Sequence, residues 1–141
     1  MATTNVDLEK QFSQLGLGEG WKWDKGSWRI ESTEPVDVRV FAQKVLALEA
    51  RFVAITATEQ PDHEIRLDYQ WDLNGNLLSL AVLTKDKKVA SIVDLSPAAD
   101  WGERETVDYF SVEFTGRGPI EPLMLRTGQE TGVNLRKEAV Q

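Results

Sequence analysis

The sequence predicts a single-domain α+β fold in which a mainly antiparallel sheet packs in two layers against helices. Apolar residues recur with the helical period over residues 35–51, and apolar and polar residues alternate over residues 65–72 as in a half-buried strand. Asn74-Gly75 then provides a two-residue hairpin turn, because both residues tolerate positive φ. The length of 141 residues suits one hydrophobic core, so these elements are expected to form one domain.

The N-terminal part is predicted to contain a short amphipathic helix over residues 8–15, followed by a tryptophan-rich loop. The apolar residues of the helix share one stripe: Leu8, Phe12 and Leu15. Glycines at positions 16 and 18 end the segment. The loop, residues 19–32, holds three tryptophans among glycines and charges: Trp21, Trp23 and Trp28. We expect it to lead into a first strand at residues 28–30.

The segment of residues 35–51 is the strongest helix prediction in the chain. Its apolar residues lie on one face: Val38, Phe41, Val45, Leu48 and Phe52. Pro35 suits the first helical turn, where the missing N–H costs nothing. Residues 52–58 are β-branched and small apolar residues, which indicates a strand that ends at the turn of residues 60–62.

An antiparallel meander is predicted to follow. Residues 65–72 form its first strand, and the Asn74-Gly75 turn leads into a returning strand over residues 77–84. A turn at residues 86–88 then leads into a further strand over residues 89–94. Together with the helix, the meander accounts for the predicted two-layer sandwich.

The last part begins with Ser96-Pro97, which fits a helix N-cap followed by proline at the first helical position. Trp101, Arg104 or Glu105, and Asp108 continue with helical spacing. After Phe110 the chain is predicted to be extended, with Val112 and Phe114 on one side. Glycine and proline then break regular structure at four positions: Gly116, Gly118, Pro119 and Pro122. Residues 129–141 form a polar tail.

Composition excludes several classes of function. The chain has no cysteine and one histidine, His63, which excludes thiolate-ligated iron–sulfur clusters, Cys-type zinc sites and disulfides. Its formal net charge of −7 disfavours binding to nucleic acid or anionic lipid. The N-terminus lacks a secretory signal pattern, and no apolar run approaches the roughly 20 residues that span a bilayer. We therefore expect a soluble, cytoplasmic protein without catalytic, cofactor-binding or metal sites.

Residues 101–117, WGERETVDYFSVEFTGR, carry a recognisable motif. The segment resembles the signature of the 30 kDa subunit family of NADH-quinone oxidoreductase, which has relatives in energy-converting [NiFe] hydrogenases. That signature is a tryptophan, Glu-Arg-Glu, an aspartate after two residues, Phe-Gly-Ile, and a Phe-x-Gly-His-Pro turn. The matching residues keep its spacing: Glu103, Arg104, Glu105, Asp108, Phe110, Phe114 and Gly116. Weaker similarity extends over residues 35–125. The sequence departs from the pattern at Ser111, where the family has glycine, at Arg117, where it has histidine, and at an inserted Gly118.

The resemblance implies a cofactor-free accessory subunit of a complex I-like respiratory or energy-converting hydrogenase assembly, taking part in quinone-linked electron transport without a redox centre of its own. Its implied partners are the large catalytic (49 kDa or hydrogenase large-subunit-like) subunit and an iron–sulfur small subunit. Through them it would sit at the cytoplasmic face of the inner membrane, and the isolated chain could form a homodimer. Residues 1–34 would precede a family core at 35–125, and the tail of residues 129–141 would follow it. The residues expected at the subunit interface are Trp101, Glu103, Arg104, Glu105, Asp108, Phe110, Phe114, Gly116, Arg117 and Pro119.

Within this set, Arg104 and Asp108 are four residues apart and are expected to pair on one helix face. Two alternatives from other functional classes remain open at the level of sequence. One is a stand-alone acid/base hydrolase using Glu105 and Asp108, which requires a pocket that gathers these carboxylates with His63. The other is a regulatory binding module that uses the tryptophans of residues 19–30, although packing in the core is the commoner role of such rings.

Overall fold

A computed structural model describes residue 10 and residues 22–24, 27–31, 37–84 and 86–133. The strands of this part are β1 (Lys22–Asp24), β2 (Ser27–Glu31), β3 (Arg51–Glu59), β4 (Ile65–Leu73), β5 (Asn76–Leu83), β6 (Lys88–Ala90) and β7 (Glu113–Thr115). The helices between residues 37 and 133 are α1 (Val38–Ala47) and α2 (Asp100–Phe110), and a 3₁₀ turn, Pro97–Ala99, precedes α2. None of the described helices has the length and apolar character needed to cross a membrane.

The main sheet has the strand order β1-β2-β5-β4-β3. All of its neighbours are antiparallel except β2 and β5, which run parallel with Trp28 opposite Leu78. The predicted α+β class is therefore confirmed. The first two strands of the predicted meander are present as β4 and β5, and β3 pairs with the other edge of β4. Asn74 and Gly75 both have positive φ, 52° and 88°, as the hairpin turn requires.

The strand predicted over residues 89–94 is wrong in extent and in place. Its counterpart β6 has three residues and pairs in parallel with β7 in a separate two-stranded sheet. The strand stops because the next backbone groups are held elsewhere. Ile92 N–H donates to the Glu103 carboxylate at 2.8 Å, and Ser96 N–H donates to the Ile92 carbonyl at 2.8 Å.

Helix α1 is shorter than predicted. It begins at Val38 because the Asp37 carboxylate caps the N–H groups of Arg39 and Val40 at 3.0 and 3.3 Å. Pro35, the predicted start, lies outside the described residues. The helix ends in a Schellman motif: Glu49 has φ 64°, and Ala50 N–H donates to the Val45 carbonyl.

The core lies between the helices and one face of the sheet. Along β4 every second side chain is buried at 0–1% exposure: Ile65, Leu67, Tyr69, Trp71 and Leu73. The Phe41 ring of α1 packs on Trp71 with ring centroids 5.4 Å apart, and Phe52, which belongs to β3 and not to the helix face, meets Trp71 edge-on at 6.2 Å. Helix α2 covers the same face, since a Cβ at Gly102 would lie 3.3 Å from Ile55 Cβ. This arrangement is the predicted two-layer packing.

The tryptophan-rich segment differs from the predicted loop. Its strand at residues 28–30 is confirmed as β2, but Lys22–Asp24 forms an additional strand with Trp23 opposite Trp28. A strand of three residues, such as β1, is too short for period-two alternation to reveal. Trp28 is 4% exposed and belongs to the core. Trp21, all of the predicted helix of residues 8–15 except residue 10, and tail residues 134–141 lie outside the described residues.

Candidate functional site

Helix α2 carries most of the signature residues. One side of the helix is buried, one side contacts residues 117–125, and one side borders a groove. Ser96 precedes the 3₁₀ turn at the N-cap position, with Pro97 at the first position, but its side chain makes no capping hydrogen bond. The helix ends at Ser111 in the left-handed conformation, φ 54° and ψ 36°. Glycine adopts this conformation most readily, which gives a physical reason for the glycine of the family pattern at that position.

Glu103 is fully buried beneath α2. Its Oε1 accepts from Ile92 N–H at 2.8 Å, and its Oε2 accepts from Ser91 Oγ at 2.7 Å and from Arg117 Nη1 at 2.9 Å. The carboxylate thus joins three separate parts of the chain: the end of β6, α2 and the segment after β7. Glu103 is an interior tether and does not itself form part of the accessible surface.

Arg117 replaces the histidine of the family turn and forms a double ion pair. One guanidinium nitrogen contacts Glu103, and the other donates to Asp100 Oδ1 at 2.6 Å. The Arg117 side chain is only 13% exposed. Arg117 thus places a cation against α2, and its two terminal nitrogens bridge two carboxylates of the helix.

Arg104 and Asp108 bind the backbone of the segment beside them, so the predicted Arg104–Asp108 pair is wrong. Arg104 donates to the carbonyls of Glu121 and Pro122 at 3.0 and 3.1 Å and lies 3.5 Å from Asp100. Asp108 is 1% exposed, and its Oδ2 accepts three consecutive backbone N–H groups, at 3.0, 2.6 and 3.2 Å, from Leu123, Met124 and Leu125.

These contacts define a strap, residues 117–125, that runs along α2. Its start is held at Asp100 and Glu103, its middle at Arg104 and its end at Asp108, so the strap and the helix have the same direction. Beyond it, Gly132 N–H donates to the Asp108 carbonyl at 3.0 Å, and the hydroxyls of Ser111 and Thr131 are hydrogen bonded. The charged residues of the motif hold this irregular segment in place.

The ten predicted interface residues fall into two groups. Phe110 and Phe114 are buried in the core at 8% and 4% exposure, which leaves them, with Glu103 and Asp108, unable to contact a partner directly. The other group reaches the surface wholly or in part: Trp101, Arg104, Glu105, Gly116, Arg117 and Pro119. Trp101 is 70% exposed, and Met124 of the strap, which the sequence did not single out, is 63% exposed.

A groove lies on the other side of α2, between the helix and β3. Its volume is about 250 Å³, and its lining is formed by Ile55, Thr56, Ala57, Glu105, Thr106 and Phe110. Glu105 is exposed and makes no ion pair with any described residue. Trp101 and Glu105, one helical turn apart, form a ridge between the groove and the strap.

The arrangement does not favour the hydrolase alternative. The Asp108 carboxylate is buried and occupied by the strap. Within the described residues the ion pair of His63 is with Glu59, at 3.4 Å, and not with Glu105 or Asp108. In the same part of the chain, no group of three or more His, Cys, Asp or Glu side chains is placed to hold a metal ion. Burial of Trp28 also removes one ring from the proposed tryptophan surface.

A lower pH should weaken the ion pair between Asp100 and Arg117 that holds the start of the strap. The hydrogen bond from Arg117 keeps the pKa of Asp100 below its ordinary value of 3.8, although partial burial opposes this. A carboxyl whose pKa is depressed by folding contributes stability above the unfolded pKa and loses it as pH falls through the folded pKa. We expect the slope of melting temperature against pH below about pH 4 to be shallower in Asp100→Asn than in the wild type. Equal slopes in thermal unfolding would contradict this assignment.

Comparison with known proteins gives a consistent result. The family described as "Respiratory-chain NADH dehydrogenase, 30 Kd subunit" matches residues 30–141. The C subunit of NADH-quinone oxidoreductase from Ruegeria sp. (strain TM1040) is 35% identical over 91 residues, which cover 61% of this chain and 45% of the relative. The corresponding protein of Rhodopseudomonas palustris (strain BisB18), of the same name, is 32% identical over 96 residues, 62% of this chain and 48% of the relative. The chain thus spans about half the length of the curated relatives it matches.

A solved structure has the same fold. It is a trypsin-resistant fragment (1–134) of Nqo5, which superposes with a TM-score of 0.61 at 18% sequence identity. The superposition covers 79% of this chain and 98% of the fragment. At this identity the likeness concerns the fold alone.

Proposed function

This chain belongs to the 30 kDa subunit family of respiratory-chain NADH dehydrogenase, and from that premise we propose that it is an accessory subunit of such an assembly. It docks on the large catalytic subunit through the ridge of α2 and the strap. The same proposal includes contact with an iron–sulfur small subunit and a position at the cytoplasmic face of the membrane, where the partner subunits hold the chain. The assembly is proposed to be of the respiratory or the hydrogenase type.

The main support for the proposal is the exposure of Trp101, whose charged neighbours on the helix already form hydrogen bonds and ion pairs within the chain. A tryptophan that is 70% exposed leaves much apolar surface in water, and such rings are the commonest anchors of protein interfaces. Met124 adds a second exposed apolar side chain on the strap. Because Glu103, Arg104 and Asp108 fix the strap, the surface is organised before binding, which lowers the entropy cost of association.

The proposed role is structural. With no cysteine and one histidine, the chain lacks the ligands for an iron–sulfur cluster, so electrons would pass through its partners. Residues 1–141 are proposed to act as one domain, in which a family core at residues 35–125 supplies the docking surface. Because the chain spans about half the length of the matched relatives, the proposed role is docking and does not extend to the activity of the whole assembly.

Replacing Trp101 with alanine should weaken association with the large subunit by roughly 30-fold, since central interface tryptophans contribute about 2 kcal/mol or more. Stability should change little, because the ring is mostly in water in the free chain. The measurement is recovery of the large subunit with a tagged chain purified from solubilised membranes, followed by titration of the separated subunits.

Leu83→Ala is the matched control, because Leu83 is also an exposed apolar residue, at 50%, but lies at the end of β5. It should bind as the wild type does. If the wild-type chain recovers no large subunit, the proposed function is wrong. If Trp101→Ala binds as tightly as Leu83→Ala, the assigned surface is wrong.

A further inference from the structure

Strand β3 is an edge strand with an unusual composition. Within the described residues it pairs only with β4, over nine residues, Arg51–Glu59. Its central six residues, 53–58, read Val-Ala-Ile-Thr-Ala-Thr and contain no charge and no proline. Edge strands of monomeric proteins are commonly protected by lysine, proline or a bulge, and here only a register shift between Phe52 and Ala54 is present, near one end. The rest of the edge has the features of a pairing site.

The groove beside α2 follows this edge. The lining includes three consecutive residues of this edge strand, Ile55, Thr56 and Ala57, so the groove follows β3 at the border of the sheet. The opposite wall is α2, which contributes Thr106 and Phe110. An extended chain placed there would meet β3 on one side and, on the other, the α2 residues Glu105, Thr106 and Phe110.

Glu105 gives this groove a charge preference. It lines the groove, is exposed to solvent and has no cationic partner among the described residues. A second copy of the chain does not suit the position, because antiparallel pairing of two β3 strands about their centres would bring two Glu105 carboxylates towards each other. A segment that carries lysine or arginine complements it.

We propose that a partner subunit adds an extended segment to the free edge of β3, with a basic side chain bound to Glu105. This proposal rests on the proposed function, since the partner is a subunit of the same assembly, and it adds the mode of recognition. Main-chain hydrogen bonds to β3 supply affinity, and the groove and Glu105 select the segment. The groove lies on the opposite side of the ridge from the strap, and it shares Glu105 with the ridge.

Hydrogen exchange tests the pairing directly. Amide exchange is measured residue by residue for the free chain and for the complex purified through a tag on the same chain. Amides of residues 53–58 that point to the free edge should exchange at least ten-fold more slowly in the complex, alternating with amides already protected by β4. Amides of β4 serve as the internal reference. Unchanged exchange at the β3 edge in a complex that does form would overturn this inference and leave the proposed function standing.

Charge reversal tests the chemistry of the partner. Glu105→Lys should reduce retention of the partner subunits at least ten-fold, while Glu64→Lys, an equal charge change at an exposed turn residue, should leave retention unchanged. Circular dichroism before the binding assay checks that both variants are folded. Equal retention of the two variants would overturn the basic partner. Protection of β3 in a concentrated, dimeric free chain would overturn it as well, because the occupant would then be a second copy.

Discussion

Replacing Glu103 with alanine should lower the free energy of unfolding by about 3–5 kcal/mol, the usual range when one partner of a buried ion pair is removed. The Glu103 side chain is fully buried, and its two oxygens satisfy Ile92 N–H, Ser91 Oγ and Arg117. Alanine leaves a guanidinium, 13% exposed, with Asp100 as its remaining carboxylate partner. It also leaves a buried backbone donor without its acceptor.

Urea unfolding followed by circular dichroism measures this loss. Glu105→Ala is the matched control, because Glu105 lies two residues later on the same helix with its side chain in solvent, and a change within about 0.5 kcal/mol is expected there. Glu103→Gln should fall between the two, since the amide oxygen can still accept a hydrogen bond but the charge is lost. If Glu103→Ala unfolds at the same urea concentration as the control, the carboxylate is not the tether that the geometry indicates.

The parts of the fold that could be predicted are those with local signals. Helical periodicity identified α1, and strict alternation with the Asn74-Gly75 turn identified β4 and β5. The parallel pairing of β2 with β5 joins segments about 50 residues apart, and the pairing of β6 with β7 joins two three-residue strands. Neither pairing is accompanied by a periodic pattern long enough to identify it in the sequence, so only the structure shows these two pairings.

The site shows a different limit. The family motif leads to the expectation that Glu103 and Asp108 lie at a subunit interface and therefore at the surface, where carboxylates are usually found. Both are buried by the strap, which has no regular structure and therefore no pattern that predicts its position. Trp101 is the converse case: an apolar ring that would normally be buried is 70% exposed. The spacing of Asp100 and Arg104, four residues apart on the helix, is a local sign of the network in the sequence. No local pattern connects Arg117 with these two residues.

This division of roles explains why one short motif contains both acidic and aromatic residues. Glu103 and Asp108 act inside the chain and determine the path of the strap, whereas Trp101, Glu105 and Met124 lie on the surface. A mutation of a buried acid should therefore affect binding only through stability or strap order. A mutation of Trp101 should affect binding without changing the stability or the order of the strap. Measuring both properties for each variant separates the two groups.

Asp108→Ala should release the end of the strap and cost about 2–4 kcal/mol of stability, because three backbone N–H groups lose a charged acceptor and regain only part of their hydration. The three donors are consecutive, from Leu123, Met124 and Leu125, and all bind the same oxygen. Trypsin cleavage at Arg126, next to the strap, should become several-fold faster than in the wild type. Glu121→Ala is the control on the strap itself, since only the backbone carbonyl of Glu121 contacts Arg104.

Asp108→Asn separates the charge of this acceptor from its position. Asparagine can direct its single carbonyl oxygen to the three N–H groups, so it should keep the strap protected from trypsin while losing part of the stability, about 1–2 kcal/mol for the charge contribution. Alanine loses both. If Asp108→Asn and Asp108→Ala are both cleaved faster than the wild type and at the same rate, the strap depends on the charge of the aspartate and not on the acceptor position alone. If both are as resistant as the wild type, the aspartate does not fix the surface on which Met124 lies, and the organised docking surface loses its main support.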